Sequence, residues 1–415
     1  MISVEQARAY ILAHFKPLEP ERVPILDALD RVLVEEIVSD LDVPPFPNSS
    51  MDGYAVRAED IRGAGGATPV RLRVVADLAA GYEPDVAVEA GTAIRIMTGA
   101  VLPPGADAVV RFEETSEAVG QKATGKDRAH VDILNAVERG TNVRHAGEDI
   151  RKGEVVLHCG DVIRPPEVGL LASIGRATVV VHRRPRVAIL ATGDELVGID
   201  EPITPGKIRN SNEYANAAAV LRAGGIPVQL GIARDNIDNL TQKLRAGLQA
   251  QADLLLTSAG VSVGDYDIVK DVLNREGEMH FWQVAMKPGK PLAFGVIGGV
   301  PVLGLPGNPV SANMSFEVFA RPAILTMLGK TRFDRVSLEA VLEQEVHNTA
   351  GRRNYIRVVV EKTADGYAAR TTGEQGSGIL MSLVRANGLL IMPEDQLVLP
   401  KGARVRVHML DWPEE

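Results

Sequence analysis

Apolar positions near the start of the chain repeat at helical spacing: Val4, Ala7, Ile11 and Leu12 share one face within residues 3–16, and Ser3 stands before them as an N-cap. A second, shorter helical pattern covers residues 27–37 and breaks at Asp42-Val43-Pro44-Pro45-Phe46-Pro47. From about residue 48 to 145 the text turns to short β-type runs, such as 70–75 and 93–97, separated by Gly and Pro turns. Residues 120–130, with Gly120 and Gly125 among mixed charges, read as an exposed hairpin or loop. Pro165 and Pro166 open a further helix, where a missing N–H costs nothing, and this piece is expected to rejoin the N-terminal helices.

From Arg186 onward strands and helices alternate. Residues 187–190, 228–232 and 253–257 are apolar on both faces, with helices expected over 212–223, 236–250 and about 267–275. Strands around 280–305 and a helix over 309–328 follow. Strands buried on both sides and interleaved with helices predict a doubly wound parallel α/β sheet. After Lys330 two-residue alternation returns, as in 357–361 and 404–409, and predicts a small all-β domain at the end. The expected organisation is a helical and mixed N-terminal domain built discontinuously from 1–47 plus 145–180, a β-rich insert at 48–144, the α/β domain at 181–330, and a C-terminal β domain at 331–415.

Composition narrows the function. With 45% hydrophobic and 24% charged residues among 415, the chain can bury sizeable cores and is not disordered. A net charge of −9 argues against nucleic acid or an anionic membrane as partner, so an anionic ligand needs a local basic pocket. The single cysteine, Cys159, cannot form an intrachain disulfide, and the 8 histidines make no zinc-spaced cluster, so a reducing, cytoplasmic setting is expected. Residues 1–6 carry neither a basic start nor a long apolar run, and no signal peptide is expected. The charge-free stretch between Lys290 and Glu317 contains Pro291, Pro301, Pro306 and Pro309, which predicts buried strands and loops instead of a membrane span.

In a doubly wound sheet ligands bind beyond the carboxyl ends of the strands. Three loops are placed there: Ala191-Thr192-Gly193-Asp194-Glu195-Leu196, Ser258-Ala259-Gly260-Val261-Ser262-Val263-Gly264, and Leu305-Pro306-Gly307-Asn308-Pro309-Val310-Ser311. Each combines glycine with hydroxyl or amide groups and is expected to open a helix, an arrangement that cradles phosphate through backbone N–H groups. Tight strand-to-helix turns are the plainer alternative for any one of them. Asp194, Glu195, Asp235, Asp265 and Asp267 stand beside these loops. Carboxylates next to a phosphate cradle repel the ligand unless a divalent cation lies between, which points to Mg2+, although Asp at a helix start also serves as a cap. Met286-Lys287-Pro288-Gly289-Lys290-Pro291 stiffens a turn around two lysines suited to an oxyanion. Strand alternation sends Arg353 and Arg357 to one face and Arg352 to the other. In the insert, the turns holding Asp52 and Thr98 are polar and glycine-bearing, which capping alone explains equally well.

Taken in order, Ser50-Met51-Asp52-Gly53-Tyr54-Ala55, Ile96-Met97-Thr98-Gly99-Ala100, Gly147-Glu148-Asp149-Ile150, Thr192-Gly193-Asp194-Glu195-Leu196, Gly260-Val261-Ser262-Val263-Gly264, Lys287-Pro288-Gly289-Lys290-Pro291 and Leu305-Pro306-Gly307-Asn308-Pro309-Val310-Ser311 resemble the MoeA family, which includes the E domain of gephyrin. The resemblance runs from the N-terminal helices to the last β domain. It implies a molybdopterin-binding type of α/β domain, a C-terminal β-barrel, and an enzyme that moves molybdenum from molybdate into adenylylated molybdopterin with Mg2+ and release of AMP. It further implies a homodimer with a composite active site, the N-terminal domain serving as linker and dimer contact, and a molybdopterin adenylyltransferase as pathway partner.

Carried onto this sequence, the family pattern puts Asp52 and Thr98 on the insert side of the site, and Glu195, Asp235, Asp267, Pro306 and Pro309 on the α/β side, with Glu195, Asp235 and Asp267 as metal ligands. Gly260, Ser262, Gly264, Gly307 and Ser311 fall to substrate binding, and Lys287, Lys290, Arg357 and Ser377 to the oxyanion. Two departures are visible: Asn210-Ser211-Asn212 stands where the family often has Asp-Ser-Asn, and Gln283 where some members carry lysine. The rival readings are a molybdopterin adenylyltransferase, which resembles residues 181–330 alone, and a gephyrin-like peptide-binding scaffold.

Overall fold

Helix α1 (Val4–Leu12) begins at a reciprocal cap: Ser3 Oγ accepts from Gln6 N at 3.1 Å, and the Gln6 side chain accepts from Ser3 N at 3.0 Å. Its buried face is Val4, Ala7 and Ile11. A computed structural model describes residues 1–117, 129–258, 272 and 275–412 of the chain. They divide into two units, one of Met1–Val23, Asp30–Val34 and Val180–Glu415, the other of Pro24–Leu29 and Glu35–Val179. Residues 27–37 are not a helix. They form turns and short extended pieces, because Asp30 adopts a left-handed φ of 62° that stops helical propagation.

The unit of Pro24–Leu29 and Glu35–Val179 holds a five-stranded sheet of β1 (Gly53–Val56), β2 (Val70–Leu78), β3 (Thr92–Ile96), β4 (Ala108–Arg111) and β5 (His130–Ile133). They lie in the order β4-β1-β3-β2-β5, antiparallel except between β2 and β3. Alternate residues feed two apolar clusters, Tyr54, Val56 and Leu72 in one and Ala55, Ile94 and Val109 in the other, so β1 is buried at every position. The expected loop at 120–130 lies mostly outside the described residues. Residues 155–157 return to pair with 37–38, and Ile150 bridges Val43. Helix α2 (Pro165–Ser173) starts on its prolines as expected.

In the other unit, six strands, β6 (Arg186–Thr192), β7 (Ile226–Ala233), β8 (Leu254–Ser258), β9 (Gly277–Gln283), β10 (Pro291–Ile297) and β11 (Val300–Leu305), form one sheet in the order β7-β6-β8-β11-β10-β9. β7, β6, β8 and β11 are parallel, whereas β10 and β9 add antiparallel at one edge. The turn at Gly298-Gly299 between β10 and β11 is too short for a parallel crossover. Helix α3 (Ser211–Arg222) packs Val220 with Val187, Ile189, Leu254 and Leu256. Helix α4 (Ile237–Gln249) packs Leu240 and Leu244 with Ala188, Leu190 and Leu255, the residues that point to the opposite side. The core of α3 also takes in the buried face of α1.

The expected helix over 309–328 is α5 (Pro309–Ser315) and α6 (Arg321–Met327), joined through a π turn at Phe316–Ala320. Pro322 has no N–H to donate to the preceding turn, and the ladder resets around it. Strands β12 (Ser337–Leu342), β13 (Arg353–Thr363), β14 (Gly366–Thr371), β15 (Gly388–Met392) and β16 (Arg404–Met409) run β13-β14-β12-β16-β15, and β15 pairs back to β13. A five-stranded barrel therefore closes around Ile356, Val358, Leu390 and Val407. Met286 and Lys287 attach to its rim, pairing parallel with Arg353 and Asn354.

Candidate functional site

A cleft of about 280 Å3 opens where β6, β8 and β11 end, with Thr192, Ser258 and Gly307 in its lining. This is where an α/β sheet offers backbone N–H groups to a ligand. After β6, Gly193 has φ 139°, and a Cβ there would stand 2.3 Å from Glu195 Oε2, so the Glu195 side chain folds over a position only glycine can occupy. This loop does not open a helix. It runs into Leu196–Val197, which pair with Ile208–Arg209, and α3 starts only after them, because Ile208 N donates to Glu195 O and Asn210 N to Val197 O.

The α3 N-terminus nevertheless reaches the cleft through Asn210, Ser211 and Asn212. Asn210 caps it by accepting from Glu213 N, and Asn212 Nδ2 donates to Gly307 O at 2.7 Å, tying the helix start to the loop after β11. In that loop Pro306 and Ser311 are buried, Gly307 is exposed in the cleft, and Pro309 is the first residue of α5. Val310 N donates to Ser377 O at 3.1 Å, and Gly378 completes the lining from the barrel side. Gly260, Ser262, Gly264, Asp265 and Asp267, with the helix expected near 267–275, lie outside the described residues, apart from Val272 and residues 275–276. Before the described end of that loop Thr257 Oγ1 is buried and has no hydrogen-bond partner among the described residues.

Asp194 and Asp235 exchange hydrogen bonds, each backbone N–H donating to the other's carboxylate at 3.3 Å. Glu195 and Asp235 are exposed on adjoining loops, and Arg234 Nη1 donates to Leu196 O at 3.1 Å, which pins the chain between them. Among the described residues no three His, Cys, Asp or Glu side chains converge as a metal cage. Mg2+ usually takes one or two carboxylates plus substrate phosphates and water, and the oxygen-only donors here fit that demand.

Lys287 is half-buried and Lys290 exposed, either side of buried Pro288 and Gly289. Gly289 has φ 108°, and a Cβ on it would meet Ser315 Oγ at 2.9 Å. Lys287 Nζ donates to Thr349 Oγ1 at 3.3 Å. Arg357 is 0% exposed and has no carboxylate partner among the described residues. Its guanidinium donates to Ser382 Oγ at 3.1 Å, Tyr355 O at 3.3 Å and Gly376 O at 3.4 Å, and burial pushes its pKa down to about 10. Ser377 only follows Gly376 in the chain at this group, and the hydroxyl on the guanidinium belongs to Ser382. Sequence reasoning missed Ser382; the one signal was a lone arginine inside the apolar run 355–360, which asks for a buried polar partner. Arg353 instead reaches Glu394 and Glu5 at the barrel rim.

In the β-rich unit, Asp52 Oδ1 accepts from Thr98 N at 2.7 Å and from Thr98 Oγ1 at 2.8 Å. These bonds hold the Asp52 carboxyl below the usual carboxylate range.

Family models match the chain at residues 2–175 as "MoeA N-terminal region (domain I and II)", at 188–326 as "Probable molybdopterin binding domain", and at 339–410 as "MoeA C-terminal region (domain IV)". The chain is 38% identical over 413 residues to "Molybdopterin molybdenumtransferase 2" of Mycobacterium tuberculosis, covering 98% of this chain and 99% of that one. It is 33% identical to the molybdopterin molybdenumtransferase of Haemophilus influenzae over 98% of both. The crystal structure of the molybdopterin biosynthesis MoeA protein from Pyrococcus horikoshii matches with a TM-score of 0.79 at 33% identity, over 99% of this chain and 100% of that one.

Proposed function

The chain belongs to the MoeA family of molybdopterin molybdenumtransferases, and from that premise we propose how its residues serve molybdenum insertion. The protein is an enzyme of molybdenum cofactor biosynthesis. The reaction we assign consumes adenylylated molybdopterin and molybdate: water cleaves the phosphoanhydride so that AMP leaves, and the two dithiolene sulfurs bond to molybdenum as molybdate oxygen departs as water with the thiol protons. The cleft at the ends of β6, β8 and β11 carries this reading, since it joins a capped helix start to the Gly307 backbone on the side of the sheet where phosphates are held.

In this reading Gly307, Pro309 and Ser311, with Pro306 behind them, orient the pterin phosphate, and the family pattern assigns Gly260, Ser262 and Gly264 to the same task. Lys287, Lys290 and Arg357 hold the oxyanion, with Ser377 bracing the loop beside Arg357. Glu195, Asp235 and Asp267 hold Mg2+, which when bound draws charge from the phosphate oxygens as the P–O bond breaks. Asp52 and Thr98 complete the site from the insert of a second subunit in a homodimer. A molybdopterin adenylyltransferase supplies the substrate, and a cytoplasmic setting suits a chain with one cysteine. Among the described residues no helix is long and apolar enough to cross a membrane. Family matches on both sides of the α/β domain weigh against the adenylyltransferase reading for this chain.

Incubation with adenylylated molybdopterin, magnesium and molybdate is expected to release AMP, followed by chromatography. AMP at background level would overturn the assignment.

A further inference from the structure

A second cleft, of about 400 Å3, is enclosed by α3, α5, α6 and the end of the barrel chain, and it shares no lining residue with the cleft at the strand ends. Its floor exists because α3 presents Ala215, Ala218 and Ala219 on this side, too short to fill the gap towards Phe316 and Leu325. The walls are charged. Arg222, Arg321, Lys330 and Arg335 face it, against only Glu317 and Asp411, so four cations meet two carboxylates in a chain whose net charge is −9.

The pairing inside the cleft leaves that excess uncompensated. Arg222 pairs with Asp411, and Arg335 takes Glu317 through two bonds at 2.7 and 2.9 Å. Arg321 has a share of the same carboxylate, at 3.4 Å, and its Nη1 donates to Phe333 O at 2.6 Å, which leaves Nη2 and Nε for a ligand. Lys330 is half-buried, and its nearest carboxylate influence, Asp30, is not in ion-pair contact. Desolvation lowers the pKa of both Arg321 and Lys330; Glu317 and Asp30 respectively oppose it, while neighbouring arginines add to it. An anion entering here relieves like-charge repulsion and finds donors already held in place.

We propose that this cleft is a second binding site, for a phosphate monoester with a compact apolar body. The phosphate lies against Lys330 and Arg321, and the apolar body rests on the α3 alanines, Phe316 and Leu325. Helix α3, which lines the substrate cleft with Asn210–Asn212 at its start, lines this site with Arg222 at its end.

Calorimetric titration of the full chain with phenyl phosphate, without magnesium, tests it. Saturable binding is expected, tighter than that of inorganic phosphate, which lacks the apolar body. Lys330→Ala is expected to weaken it by about 10-fold or more, the effect of losing one charge-assisted hydrogen bond. Ala218→Trp fills the floor and is expected to abolish it, whereas Lys290→Ala, in the turn assigned to the oxyanion, leaves it unchanged. Should Ala218→Trp fail to fold, Lys330→Gln repeats the test at the charged wall with the side-chain length nearly kept. Absence of saturable binding, or binding that Lys290→Ala removes and Lys330→Ala does not, overturns the proposal without touching the assignment of molybdenum insertion.

Discussion

Asp52 and Thr98, from two separate turns, meet at one carboxylate oxygen: Asp52 Oδ1 takes both the Thr98 N–H and the Thr98 hydroxyl, at 2.7 and 2.8 Å. The contact follows from register. Gly53 of β1 lies opposite Ile96 of β3 in an antiparallel pair, so the residue before one strand comes level with the residues after the other. No bond to Oδ2 is formed among the described residues.

Thr98→Val removes the hydroxyl and keeps the backbone donor. The Asp52 pKa is therefore expected to rise part of the way back to the ordinary carboxylate value, measured by carbon NMR of the labelled carboxyl group. The sign for stability follows: a depressed pKa gives stability that is present near neutrality and lost as pH falls through the folded-state value, and the variant loses it at a higher pH. An unchanged titration curve would mean that the backbone N–H alone sets the shift.

Gly289→Ala places a methyl group 2.9 Å from Ser315 Oγ in a backbone with φ 108°. The expected cost is about 1–3 kcal/mol, read from chemical denaturation. Ser315→Ala in the same chain removes the contact atom and is expected to restore part of that loss, leaving the backbone strain. A double variant no more stable than Gly289→Ala assigns the cost to the backbone and to Met286 Cε, which the methyl group would meet at 3.0 Å.

What could be read along the chain was what neighbours in sequence decide. Ser3 and Gln6 cap α1 within one turn, and Pro165 and Pro309 mark helix starts by chemistry that needs no distant partner. The loops that end β6 and β11 were placed by the apolar runs before them. Other features depend on pairing between distant residues. Strand β10 is as apolar as the parallel strands beside it, and only the short turn at Gly298-Gly299 marks it as antiparallel to β11. Ser382 joins Arg357 across 25 residues through barrel closure, and Asn212 reaches Gly307 across 95. Residues 27–37 misled because apolar spacing matched a helix while Asp30 took a left-handed turn.

Arg357→Met separates binding from folding. The buried guanidinium is costly to desolvate, yet its removal leaves Ser382 Oγ and two carbonyls short of a donor, so stability is expected to change by no more than about 2 kcal/mol. If the charge serves the oxyanion, the molybdate concentration needed for half-maximal turnover rises by about 10-fold or more. A normal molybdate dependence in a folded variant would restrict Arg357 to holding the loop around Gly376.

The shared-site proposal makes its sharpest demand on mixtures of defective chains. Asp52 lies in the insert, and Asp267 belongs to the α/β domain, so Asp52→Ala and Asp267→Asn each disable every site of a homodimer. If each site takes its insert from one subunit and its α/β loops from the other, a mixed dimer carries both defects in one site and none in the second. Random exchange makes half of all dimers mixed, and with independent sites roughly one quarter of wild-type activity is expected to return. A site built within one chain allows no recovery, because each molecule keeps one defect. Native mass spectrometry must first show that mixed dimers form, since slow exchange alone keeps activity low. With exchange demonstrated, activity no higher than that of either parent removes the composite site and confines Asp52 and Thr98 to a role within their own chain.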